Sequence, residues 1–141
     1  MTPAGGAIVG TLVIDRAPDA VAGARRWVVR RVAAMPGRPL KEDAVDDLVL
    51  CASEVITNAV RHSGHGGVGG PISITMLDRH RAIRLEVRDG GNDAGRRPAR
   101  ATVGTAATSG RGLGIVEVLA TTWGDNIDDA GRTTVWFEIA Y

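Results

Sequence analysis

Leu50-Cys51-Ala52-Ser53-Glu54-Val55-Ile56-Thr57-Asn58-Ala59-Val60-Arg61-His62-Ser63 has the periodicity of an amphipathic helix that starts some residues earlier. At about 100° per residue, Val45, Leu48, Val49, Ala52, Ile56 and Ala59 fall on one side. Asp47, Cys51, Glu54, Asn58, Arg61 and His62 fall roughly opposite. Glu54 and Asn58 are therefore neighbours, one turn apart. Such a stripe is in the first instance a solvated face. This one mixes an acid, an amide and a thiol on short side chains, whereas a merely solvated face is rich in long Lys, Glu and Arg. An amide oxygen can ligate a hard cation such as Mg²⁺ while a carboxylate one turn away orients a hydroxyl or water. That second reading requires a phosphate-binding segment elsewhere in the chain.

The chain has 141 residues, 44% of them hydrophobic, which predicts one domain over 1–141 with a single sizeable core. A net charge of +1 points neither to nucleic acid nor to an anionic membrane. Lys41 is the single lysine among many arginines, a compositional bias that carries no function. Cys51 stands alone, so no disulfide framework is expected and a reducing compartment is the simpler inference. No apolar run is long enough to span a bilayer and the N-terminus has no signal-peptide pattern, so a cytoplasmic protein is expected. His62, His65 and His80 do not stand at ligand spacing with Cys51, and no zinc site is expected.

Along the chain, Ile8 to Ile14 is β-branched and predicts a first strand. Pro18, followed by Val21, Ala24, Val28 and Val32 at helical spacing, predicts a helix to about Ala34, stopped by Pro36-Gly37-Arg38-Pro39. Arg25, Arg26, Arg30 and Arg31 crowd it, as a solvated face or as a docking surface for an acidic partner. The second helix begins near Lys41 to Asp43 and ends in the glycine-rich run after Ser63. Ile72 to Leu77 and Ala82 to Arg88 alternate about a short turn and form a β-hairpin. The hairpin delivers the chain to Asp89-Gly90-Gly91-Asn92, which is either a plain turn or part of a site. Asp93 to Ser109 has almost no large apolar side chain and is expected to be mobile. Gly110-Arg111-Gly112-Leu113-Gly114 then opens a helix through Ala120, where close-approaching backbone amides favour an anion. Asp125 to Asp128 and Thr133 to Ile139 flank a Gly131-Arg132 turn as hairpin arms. These elements predict a two-layer α/β (α+β) sandwich, a mostly antiparallel mixed sheet covered on one face by helices. The absence of Gly-x-x-x-x-Gly-Lys-Ser/Thr, and a glycine cluster far from any βαβ start, exclude P-loop and Rossmann proteins.

Taken in order, Glu54-x-x-x-Asn58-Ala59, Asp89-x-Gly91, Gly110-x-Gly112-x-Gly114 and a Thr-containing final strand resemble a known set of boxes. They are those of the Bergerat ATP-binding fold shared by gyrase, heat-shock chaperones, mismatch-repair ATPases and histidine kinases. Within it, Glu54 to His62 and Gly110 to Val116 are most similar to the small bacterial anti-sigma-factor serine/threonine kinases. The resemblance implies that Asn58 ligates the Mg²⁺ of bound ATP and that Glu54 is the general base or orienter of the attacking hydroxyl. It implies that Asp89 accepts a hydrogen bond from the adenine amino group and that Gly91 leaves room for the ring. Gly110, Arg111, Gly112, Leu113 and Gly114 would wrap the phosphates, with Asn92 to Ser109 as the ATP lid. Thr133, or the adjacent Thr134, would support Asp89. One departure is Asp93, where family members often carry glycine; a carboxylate near phosphate is unfavourable unless it points to solvent.

The activity so implied is an ATP-dependent protein serine kinase acting on an anti-anti-sigma (STAS-type) partner and otherwise sequestering a sigma factor. The alternative is a nucleotide-binding regulatory module with little or no phosphotransfer. Both need Asn58 and Asp89; only the kinase needs Glu54 as a base. The resemblance also allows a homodimer.

Overall fold

The structure, a computed structural model, describes residues 6–35, 40–62, 70–89, 113–129 and 131–141. Its elements are β1 (Ala7–Ile14), α1 (Ala20–Ala33), α2 (Glu42–His62), β2 (Ile72–Asp78), β3 (Ala82–Arg88), a helical run 113–119 here called α3, β4 (Thr122–Ile127) and β5 (Thr133–Ala140). The five strands form one sheet in the order β1-β2-β3-β5-β4, and every neighbouring pair is antiparallel. The expected α+β sandwich is therefore present, with a sheet that is antiparallel throughout the described residues.

Strand alternation decides which face is buried. Met76, Leu85, Phe137 and Trp123 are successive cross-strand partners, so one apolar row runs over β2, β3, β5 and β4. Ile72, Ile74, Ile83, Val87 and Ile139 extend the same face and are buried. The helices cover it. Val21, Ala24, Val28 and Val32 of α1 recur at helical spacing and are buried, and basic Arg30 and Arg31 lie in its last turn, where the dipole favours them. Glu42 and Asp43 serve the opposite purpose in the first turn of α2. Where α1 crosses β1 the contact is close: a Cβ on Gly10 would sit 3.1 Å from Arg31 Nε and 3.3 Å from Trp27 Cζ2.

The buried stripe of α2 is Leu48, Cys51, Ala52, Val55, Ile56 and Val60. This corrects the placement of Cys51 on the polar side of the helix. Its thiol is fully buried, because Cys51 lies three residues after Leu48 and four before Val55 and packs as a small hydrophobe. The opposite face of the sheet is polar. There Arg84 stacks 3.9 Å above the Trp136 ring and binds Glu86 at 2.8 Å and Glu138 at 3.0 Å. The β2–β3 turn holds His80 at φ 83°, its N–H donating to Asp78 Oδ1 at 3.0 Å. Among the described residues no helix is long and apolar enough to cross a membrane.

Candidate functional site

Glu54 and Asn58 sit one turn apart on α2 and both are half-buried. They border the core stripe and do not project fully into water, as residues of a purely solvated face would. α2 packs across β3 and β5, the two strands that carry the next candidate residues. The register fixes how those two meet. Arg88 is opposite Thr134, and one step beyond, the Asp89 N–H donates to the Thr133 carbonyl at 3.0 Å. Asp89 is thus held at the mouth of β3 by the first residue of β5, and its half-buried carboxylate leaves the sheet from a fixed backbone. The start of β2, reached from α2 through residues 63–71, lies at this same end of the sheet, since Ser73 pairs with Arg88.

The glycine box is described only at its far end. Leu113 and Gly114 are the first residues of α3. Leu113 is buried, so what it offers a ligand is backbone and not side chain. A Cβ at Gly114 would meet nothing within 4 Å, which leaves the first turn of α3 open to a close approach. The first amides of a helix have no partner inside it and suit an anion. Gly91, Gly110, Arg111 and Gly112, with the segment Asn92 to Ser109 and its Asp93, lie outside the described residues.

Electrostatically the α2 stripe is acidic. Burial, then the charge of Asp47 and then that of Glu54 push the Cys51 thiol up to about 12. Asp47, Cys51, Glu54 and Asn58 follow one another at four-, three- and four-residue steps, so the thiol marks the seam between core and site. Among the described residues no group of three or more His, Cys, Asp or Glu could hold a metal ion by itself. A separate shallow groove of about 370 Å³ runs between β1 and α1, lined by Leu12, Ile14, Asp15, Trp27 and Arg30 among others. It contains none of the site residues, and no motif in the sequence pointed to it.

The sequence is matched by the model of the Histidine kinase-like ATPase domain family over residues 14–139. The chain belongs to that family. The ATPase domain is also similar to the crystal structure of the RsbU and RsbW domains of Rv1364c from Mycobacterium tuberculosis, with a TM-score of 0.67 and 21% identity. That likeness covers 93% of the ATPase domain but only 31% of the Rv1364c chain, and at such identity it speaks to the fold. No curated protein matches the sequence. Fold and family are those of an ATP-binding domain, and the paired Asp89 and Thr133 stand where its strands meet.

Proposed function

We propose that this ATPase domain is an ATP-dependent protein serine kinase of the anti-sigma-factor type. Its substrate would be a hydroxyl of an anti-anti-sigma (STAS-type) protein, and its second partner a sigma factor that it sequesters. The observation that carries the reading is the half-buried pairing of Glu54 with Asn58 on one stripe of α2. A nucleotide-binding module needs only the amide; phosphotransfer gives the carboxylate a purpose.

Each residue has a distinct task in this reading. Asn58 would supply a neutral, hard oxygen to hold Mg²⁺, which would offset the negative charge of the phosphates during transfer. Asp89 accepts a hydrogen bond from the adenine amino group, with Thr133 fixing its backbone and Gly91 leaving space beside it. Gly110, Arg111, Gly112, Leu113 and Gly114 offer backbone amides, and Arg111 a guanidinium, to the phosphates. ATP with Mg²⁺ supplies the transferable phosphoryl group. Glu54 would orient the incoming serine hydroxyl and take its proton as that oxygen bonds the γ-phosphorus and the bond from phosphorus to the β–γ bridging oxygen breaks, releasing ADP.

The test is phosphotransfer from labelled ATP, with Mg²⁺, to candidate anti-anti-sigma proteins from the same genome. Glu54→Gln is expected to keep nucleotide affinity while transfer falls. General-base contributions run about 10²–10⁴-fold, and the loose transition state of phosphoryl transfer favours the lower end. A protein that transfers nothing to any partner, yet binds one tightly when ATP is present, would instead be a nucleotide-gated binding module.

A further inference from the structure

The strand order leaves β1 and β4 at the two edges of the sheet. An edge is a row of open backbone donors and acceptors, normally blunted by charge, proline or a covering element. β4 carries exposed Asp125 and Asn126. β1 reads Ala-Ile-Val-Gly-Thr-Leu-Val-Ile, with neither charge nor proline, and after an irregularity between Ile8 and Gly10 it pairs regularly with β2 as far as Ile14. Among the described residues no strand pairs with its outer edge. Both faces beside that edge are apolar. Val13, on the face away from the helices, is 59% exposed. On the helix side runs the groove of about 370 Å³ between β1 and α1, with Leu12, Ile14, Gly23 and Trp27 along it. Its ends differ in charge: exposed Asp15 and Asp19 stand where β1 ends and α1 begins, and exposed Arg30 stands in the last turn of α1.

We infer that the β1 edge and this groove take up an extended segment of a partner protein, added to the sheet antiparallel to β1. The segment carries a basic residue first, apolar residues at every second position and an acid last. The open backbone row selects an extended chain, because a helix has no free donors and acceptors to offer it. Alternation then drops every second side chain into the groove over Leu12, Ile14 and Trp27 and lays the others beside Val13. An antiparallel chain begins at the Asp15 and Asp19 end and finishes at Arg30, which fixes the order of the two charges. A uniformly acidic segment satisfies Arg30 but sets its own charge against Asp15 and Asp19. The β1 strand of a second copy, uncharged throughout, matches neither end. The inference is independent of the kinase reading, because Glu54, Asn58 and Asp89 take no part in it.

The probe is a fluorescently labelled peptide, Arg-Thr-Val-Thr-Val-Thr-Glu, titrated with the full chain at low salt. It is expected to bind, and the peptide with its two charges exchanged to bind about 3- to 10-fold more weakly, since exposed ion pairs contribute modestly. Methylating alternate backbone nitrogens removes the donors of one peptide edge at a time. One methylated set is expected to lose binding by roughly 100-fold and the other to keep it, as strand addition requires. Gly23→Leu fills the groove from α1. A Cβ there would meet only Arg26 Nη2, at 3.8 Å, and glycine is a poor helix former, so thermal unfolding is expected to show a fold at least as stable. Peptide affinity is expected to fall at least about tenfold in this variant, with nucleotide binding unchanged. A peptide that does not bind, equal tolerance of both methylated sets, or full affinity in folded Gly23→Leu would each overturn the inference. So would self-association of the chain that Gly23→Leu abolishes, which would give the edge to a second copy.

Discussion

Asp89 offers the cleanest single-residue experiment, because its N–H is already spent on the Thr133 carbonyl at 3.0 Å and a side-chain change need not move the backbone. Asp89→Asn is expected to weaken ATP and ADP alike, by about 1–3 kcal/mol for a buried hydrogen bond. Asn58→Ala is expected to act only through the metal, so its effect should vanish when Mg²⁺ is chelated. Calorimetry with and without Mg²⁺ separates the two, and unchanged binding in both variants would move the nucleotide elsewhere. Cys51 gives a second handle. With the folded thiol at about 12 against an ordinary 9.0, the unfolded chain ionises first as pH rises and so binds fewer protons. Stability from this group is intact below pH 9.0 and is lost between 9.0 and about 12, at roughly 1.4 kcal/mol per pH unit. Urea unfolding of the protein and of Cys51→Ala across that window should show the slope in the first and its loss in the second. The position of this cysteine was legible, had the thiol been counted with the apolar residues. Leu48, Cys51, Ala52, Val55 and Ile56 keep unbroken helical spacing, and only the habit of grouping sulfur with polar atoms hid it.

At the level of elements, β4 shows what pattern reading misses. Its second half was legible from the Gly131-Arg132 turn, whereas Thr122 to Gly124 was not, since a glycine inside a strand reads as a break. Gly124 pairs directly with Trp136 on β5, and the indole lies across it. A Cβ there would come within 2.8 Å of Trp136 Cζ2 and 3.1 Å of Cε2. The ring cannot retreat freely, because Arg84 is stacked 3.9 Å from its centroid and is itself bound to Glu86 and Glu138. Gly124→Ala is therefore expected to cost about 1–3 kcal/mol by overpacking and to alter the near-ultraviolet circular dichroism of the tryptophans. Unchanged denaturation together with an unchanged spectrum would mean that the indole has another resting place. The β2–β3 hairpin, by contrast, was readable from its alternation and short turn alone, and the same alternation identified Ile83, Leu85 and Val87 as the buried face.

Across the whole molecule, local signals were sufficient for two hairpins and two long helices but not for the order of the sheet. β1 pairs with β2 across the helical hairpin, and β5 takes the place beside β3, leaving β4 at the edge. Those pairings are non-local; the β3–β5 pairing sets Leu85 beside Phe137 in one apolar row, while β1 joins β2 with Gly10 opposite Met76. Phe137 is the largest fully buried side chain and sits in the middle of that row. Phe137→Ala is expected to cost about 3–5 kcal/mol, a large part of the roughly 5–15 kcal/mol that holds a domain together. Urea unfolding followed by tryptophan fluorescence measures it, and a loss below about 1 kcal/mol would mean that the core closes around the gap.

Because β5 stands between β3 and β4, the sheet is completed by the strand that leaves the ribosome after every other element described here. Until then β3 has one open edge, β4 has no partner, and the apolar stripe of α2 lacks part of its cover. A nascent chain in that condition is sticky but not folded, and any extended peptide can take the vacant edge. Force measured on stalled nascent chains should stay flat until β5 clears the exit tunnel and then rise in one step. An earlier pull would show that β1, β2 and β3 close with the helices on their own. The yield of folded protein in a cell is thus expected to depend on what shields that edge during the wait more than on the speed of translation.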